Sequence, residues 1–226
     1  MKVTDDTYVG DQISNDGKLN KTIAARYSKA TGVISQIMNM LKEVSLGFHF
    51  FQMAMIFRNL KFINAVMINS EVWHSVKEDD LKDLIKTDKS LLMQILEAPA
   101  TTCTEYLFLE TGTIPIQNIL KCRRIIYLHY ILNCNQDEML PKVFRAQLRR
   151  PTKGDWTEII EKDLNDFEIK FNLEDIRLTK ESVFKKRVID ACKKFTLKQL
   201  LSKQDKRRQK SDNSKGRMLD YKKLEI

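Results

Sequence analysis

The chain is poor in the residues that most enzymatic and metal chemistry needs. Its 226 residues include only three histidines and four cysteines. His49, His74 and His129 are scattered among apolar neighbours, and Cys103, Cys122, Cys134 and Cys192 form no Cys-x-x-Cys pair. Metal-ligand spacing is missing and no extracellular disulfide framework is suggested, so a reducing intracellular compartment fits best. The N-terminus also lacks a signal-peptide pattern. Glycine and proline are scarce, at 7 and 4, which argues for helices over a turn-rich β fold. No apolar run is clean enough to span a membrane. The most apolar stretch, 48–68, is broken by Arg58, Asn59, Lys61 and Asn64 and reads as a buried helix. His129 lies between Leu128 and Tyr130 with no Ser or Cys nucleophile pattern nearby, and reads as a packed or edge histidine. These absences lead to an expectation of no catalytic residue, no metal, no cofactor and no small-molecule ligand.

An apolar share of 42% supports a substantial core. The net charge of +9 is unevenly placed. From Lys185 to Ile226 there are 15 Lys+Arg against 5 Asp+Glu, whereas the other 184 residues hold 24 basic and 25 acidic side chains. A local positive field of this kind is the usual footprint of nucleic-acid binding. The same run also suits a solubilising or nuclear-import tail.

The stretch from Tyr8 to Val44 organises the rest. Thr7-Tyr8-Val9-Gly10 reads as extended, and Ser14-Asn15-Asp16-Gly17 as a turn, because Asn, Asp and Gly tolerate left-handed backbone angles. Asp5-Asp6 has no upstream strand with a third carboxylate, so the pair reads as a solvated turn and not as a two-metal site. A long amphipathic helix follows, with Ile23, Tyr27, Ala30, Ile34, Ile37, Leu41 and Val44 along one stripe. Arg26, Lys29 and Gln36 fall on a flank of that stripe, where they could reach a partner. A second helix is expected over 48–69, followed by Trp73 packed between helices. A third runs from Glu78-Asp79-Asp80 to a stop at Pro99, and a fourth begins at Pro115-Ile116. Lys121, Arg123 and Arg124 on the fourth helix could hold phosphates, or could salt-bridge to the acids of the third. Shorter helices are expected around 141–150, after Asp155 and near 173–178. A last long helix runs from Lys180 or Glu181 to about Gln204.

The aromatic-x-Gly strand, the Ser-Asn-Asp-Gly turn and the helix carrying Arg26 and Lys29 resemble the end of a LINE-like (non-LTR), site-specific retrotransposon reverse transcriptase. The resemblance continues through Ala98-Pro99, then Glu105-Tyr106-Leu107-Phe108-Leu109-Glu110-Thr111-Gly112, and then the string from Arg123-Arg124 through Leu128-His129-Tyr130-Ile131-Leu132. It implies that the chain starts where the polymerase palm finishes and stops before the zinc knuckle and endonuclease of such polyproteins. Tyr8 and Gly10 would sit beside the primer, and Arg26 and Lys29 would touch phosphates and sugars of the template–primer duplex.

The reading that results is an all-α chain, an irregular multi-helix bundle with a short N-terminal β-hairpin and a flexible basic C-terminal tail. Its expected divisions are 1–19 (end of palm), 20–150 (thumb-like helical domain), 151–202 (linker helices) and 203–226 (basic flexible tail). The expected function is non-catalytic binding of RNA, DNA or an RNA–DNA hybrid, with no membrane partner and a nuclear location. Tyr8, Gly10, Arg26, Lys29, Lys121, Arg123, Arg124, Lys206, Arg207, Arg208 and Lys210 are the candidate contacts. The alternative is a helical protein-interaction module whose basic tail serves only nuclear import.

Overall fold

The computed structural model describes residues 5–8, 11–14, 19–43, 50–73, 76–77 and 79–212, and these are mostly helical. Two four-residue strands, β1 (Asp5–Tyr8) and β2 (Asp11–Ser14), pair antiparallel, with Asp5 opposite Ser14 and Tyr8 opposite Asp11. Asp5 and Asp6 therefore belong to a strand and not to the expected turn. The Asn15–Gly17 turn, Gly10 and Val44 lie outside the described residues.

Helix α1 (Asn20–Glu43) buries Thr22, Ile23, Arg26, Ala30, Ile34, Ile37 and Leu41. From Ile23 onward these are steps of three and four residues, and Thr22 lies four before Arg26, which in a helix means one face. The expected stripe is corrected at its start. Tyr27 is 43% exposed and Arg26 only 3%, so the two exchange roles. Thr22, Arg26 and Ala30 share an i, i+4 row, and the row that carries Ala30 into the core carries Arg26 with it.

The second expected helix is a rod with a change of pitch. Helix α2 (Phe50–Phe57) passes into a π-helical turn, Arg58–Ile63, and then into α3 (Asn64–Met67). The wide turn holds Arg58 inside, where its Nε and Nη2 donate to the two carboxylate oxygens of Asp88 at 2.8 and 2.6 Å. Such π turns form where a side chain needs a position that the regular helical period would deny it. Asn69 in the left-handed conformation then reverses the chain into a short 3₁₀ turn, Ser70–Val72, and Trp73 is fully buried.

Asp88 sits on α4 (Lys82–Ile95), which buries Leu84, Leu91, Leu92 and Ile95. Helix α5 (Thr104–Thr111) ends at Gly112, whose φ of 60° is the left-handed C-terminal cap that glycine adopts without strain. Helix α6 (Ile116–Asn133) follows directly after Pro115, and α7 spans Met139–Arg149. Asp155 caps α8 (Trp156–Asp166) by accepting from Glu158 N, and Asn172 caps α9 (Leu173–Leu178) by accepting from Glu174 and Asp175 N. Helix α10 (Glu181–Asp212) is eight residues longer than the expected end at Gln204. Residues 203–212, expected as flexible tail, are therefore helical. They lack an apolar period, but they also lack Gly and Pro and are rich in Lys, Arg and Gln, which sustain a helix without packing.

The apolar packing does not divide at Pro151. One cluster joins α1, α2, α3 and α4 to the start of α6, ending with Ile116 and Leu120. The other begins at Cys122 and Ile125 on the same helix and gathers Phe144, Ile160, Leu164, Ile176, Phe184, Val188 and Cys192 from α7 to α10. A smaller group of Leu92, Leu107, Phe108 and Leu200 fastens α10 to α4 and α5. Among the described residues, no helix is long and apolar enough to cross a membrane.

Candidate nucleic-acid interface

Helix α1 turns a second face to solvent. Lys21, Ala24, Ser28, Lys29, Gly32, Ser35, Gln36 and Asn39 are all exposed on it. Most are small or carry a hydroxyl or amide, and the only acid in the helix is Glu43 at its last position. A Cβ added at Gly32 would meet nothing within 4 Å. The hydroxyls of Thr31 and Ser35 lean back on the carbonyls of Tyr27 and Thr31 at 3.4 Å, and long bonds of this kind are weak enough to be exchanged for a better acceptor. Beside this face, α1 and α4 enclose a groove of about 550 Å³. Tyr27, Thr31 and Ser35 line it from one side, and Lys86, Ser90 and Gln94 from the other. At 1.5 Å per residue, a 24-residue helix is roughly 36 Å long, about one turn of a nucleic-acid duplex.

The expected contact residues fare differently. Lys29 is exposed, as expected. Arg26 is buried and thus withdrawn from any partner on the outer face. The α6 cations are engaged inside the protein. Arg124 is 6% exposed, and it donates through Nε to Asp163 Oδ2 at 2.7 Å and through Nη1 to Trp73 O at 3.3 Å. Arg123 donates to Met67 O and, at 3.2 Å, to Asn64 Oδ1. Lys121 pairs with Asp166 and lies 5.2 Å from the centre of the Phe195 ring. The salt-bridging alternative thus describes Lys121 and Arg124, except that the acids come from α8 and not from the third helix. Burial pushes the Asp163 carboxyl above the ordinary aspartate range against the opposing pull of Arg124, and it pushes the Arg123 guanidinium below its ordinary value.

On α10, Lys206 and Arg207 are exposed, and Arg207 reaches Glu105 Oε2 at 3.2 Å. Arg208 and Lys210 belong to the same helix, but their side chains lie outside the description, as does that of Tyr8 at the end of β1. His129 is a packed histidine, 7% exposed, with its ring stacked on Phe184 and Nε2 2.8 Å from Thr179 O. Cys122 and Cys192 are buried free thiols, and Cys192 Sγ is 3.5 Å from Asn118 O. Among the described residues, no three His, Cys, Asp or Glu side chains come together as a metal site.

Two features escaped the sequence reading. The small polar face of α1 carries no charge pattern to mark it, and its one visible signal in the sequence is Gly32 inside an otherwise sound helix. The exposed ring of Tyr130 was hidden within an aromatic and aliphatic string that reads as core on every side. Comparison of the chain with family models, with curated proteins and with solved structures found no match.

Proposed function

We propose that this chain binds nucleic acid without catalysing a reaction, and that its preferred target is an RNA–DNA hybrid lying along α1. The reading is that of a thumb from a LINE-like reverse transcriptase. The observation that carries it is the outer face of α1, which is acid-free until its last residue, small in cross-section and about one duplex turn long. A helix face of this kind can lie close to the wide, shallow minor groove of an A-like duplex, where 2′-hydroxyls and sugar edges are accessible. Ser28, Ser35, Gln36 and Asn39 supply donors and acceptors for those groups. Lys21 and Lys29 reach the flanking phosphates, and Gly32 allows the closest approach. Positive charge along α10, including Lys203, Lys206 and Arg207, adds affinity that does not depend on sequence and that falls steeply with salt.

The test is fluorescence anisotropy with a labelled RNA–DNA hybrid across a salt series, comparing wild type with three variants. Gly32→Phe fills open space and leaves the core untouched, so it should weaken binding while the thermal transition stays in place. Lys29→Glu should lower the salt slope by about one. Neutralising Lys203, Lys206 and Arg207 together should weaken binding to hybrid and to unrelated duplex alike. If both α1 variants bind as wild type and only the α10 variant fails, the thumb reading is wrong and a generic basic helix remains. A folded chain that binds no nucleic acid at all would favour the protein-interaction module.

A further inference from the structure

The second half of α6 carries a cavity that shares no lining residue with the groove beside α1. The rings of Tyr127 and Tyr130 stack with centroids 5.6 Å apart and planes within 17° of parallel. Tyr127 is held from behind, because Trp156 meets it edge-on at 6.1 Å and Trp156 Nε1 donates to Glu71 O at 3.1 Å. Tyr130 is the open end of this stack, 57% exposed. Both rings border a cavity of about 390 Å³ that also takes in Glu71, Arg123, Glu181 and Lys185. Two acids and two bases leave the cavity near neutral. Lys185 is paired with Glu181 at 2.5 Å but remains half exposed at its mouth.

We infer that this cavity takes one unstacked base of a single-stranded nucleic acid, and that it favours bases with an exocyclic amine. The inference rests on the nucleic-acid reading above and adds to it a separate, single-stranded site. A flat aromatic ring fixed by a second ring behind it is a stacking platform that costs little ordering on binding, and every base offers it a π-face. The carboxylates of Glu71 and Glu181 are acceptors only, so they match the amino groups of adenine, cytosine or guanine and have only the ring N–H of uracil to receive. Lys185 opens the basic helix α10, where Lys186, Lys193 and Lys194 are also exposed, so the phosphates flanking the inserted base meet positive charge. Arg123 closes the inner wall, already anchored on Met67 O and Asn64.

The experiment is anisotropy of labelled ten-residue oligo(A), oligo(C) and oligo(U) RNAs, at a salt concentration high enough to suppress purely electrostatic binding. Wild type should bind oligo(A) and oligo(C) more tightly than oligo(U). Tyr130→Ala should weaken oligo(A) binding by between about fivefold and a hundredfold. Tyr130→Trp should restore it, and Glu71→Gln should narrow the gap between oligo(A) and oligo(U). Since Tyr130 is largely exposed, its removal should leave the circular dichroism spectrum and hybrid binding unchanged, which separates this site from the α1 interface. Equal binding of all three oligomers, unaffected by Tyr130→Ala, would overturn the inference even if the hybrid still binds. So would a Tyr130→Ala loss that tryptophan fails to rescue, because stacking would then not be its cause.

Discussion

Arg58 and Asp88 bring two full charges to 1% and 0% exposure, joined by two hydrogen bonds, with Arg58 also donating to Ile114 O at 3.2 Å. Burial alone drives the Asp88 carboxyl above its ordinary range, while the guanidinium beside it pulls the other way. Removing one partner strands the other charge in the core. Asp88→Ala should therefore cost about 3–5 kcal/mol in urea denaturation, whereas an Arg58→Met, Asp88→Leu double variant should recover most of that loss. Asp155 illustrates the opposite titration. Slight desolvation works to raise its pKa, but the N–H groups of Glu158 and Thr152 and the Thr157 hydroxyl outweigh it and hold the carboxyl below its ordinary value. A lowered folded pKa means that the cap's ionic contribution is complete above the unfolded value and is lost as pH falls through the folded one. Asp155→Ala should cost about 1 kcal/mol near neutral pH. Asp155→Asn should keep the cap and flatten the acid limb of the stability profile, as thermal melts between neutral and acidic pH would reveal.

At the scale of elements, α1 is the helix on which the sequence was most legible and also most misleading. Ile23, Ala30, Ile34, Ile37 and Leu41 alternate by three and four, and hydrophobic period places them inward. What the period cannot decide is a tie between neighbours at the edge of the stripe. Tyr27 and Arg26 differ by one helical step, and the tie went to the long aliphatic stem of arginine, which buries well. Gly32 turns this helix into a clean test. An exposed glycine within a helix costs about 0.5–1 kcal/mol relative to alanine, and a Cβ there meets nothing within 4 Å. Gly32→Ala should therefore raise the melting temperature, and the larger Gly32→Phe should separate stability from binding. Helix α10 was legible only over its packed part. Val188, Cys192 and Leu200 announce a buried face, but past Leu201 nothing apolar marks the helix, and propensity without packing is a signal that hydrophobic period does not carry. Leu200, buried against Leu92, Leu107 and Phe108, is the last apolar anchor, so Leu200→Ala should cost about 2–4 kcal/mol. Arg207→Ala, at a half-exposed ion pair, should cost under about 1 kcal/mol in the same denaturation series.

For the whole molecule, the question is where one packed unit ends. Pro151 and Gly154 flank a polar stretch, and sequence punctuation of that kind is the usual mark of a boundary. Side-chain packing follows a different division, because α6 serves both clusters, with Leu120 in the first and Ile125, Leu128 and Ile131 in the second. The helices after Pro151 cover the second half of α6, and the Arg124–Asp163 pair ties that helix to α8 from within. A fragment ending at Arg150 would leave Ile125, Leu128 and Phe144 without the Ile160, Leu164, Phe184 and Val188 side chains that bury them. It would also leave Arg124 without its carboxylate. Each uncovered large apolar side chain forfeits roughly 1.5–3 kcal/mol, and several together exceed the stability of a typical domain. The fragment should therefore bind a hydrophobic dye and lack a cooperative thermal transition, whereas the chain through Asp212 should unfold with one. A fragment 1–150 that melts cooperatively, with dispersed amide resonances, would restore the boundary at Pro151 and make α8 to α10 a separate attachment.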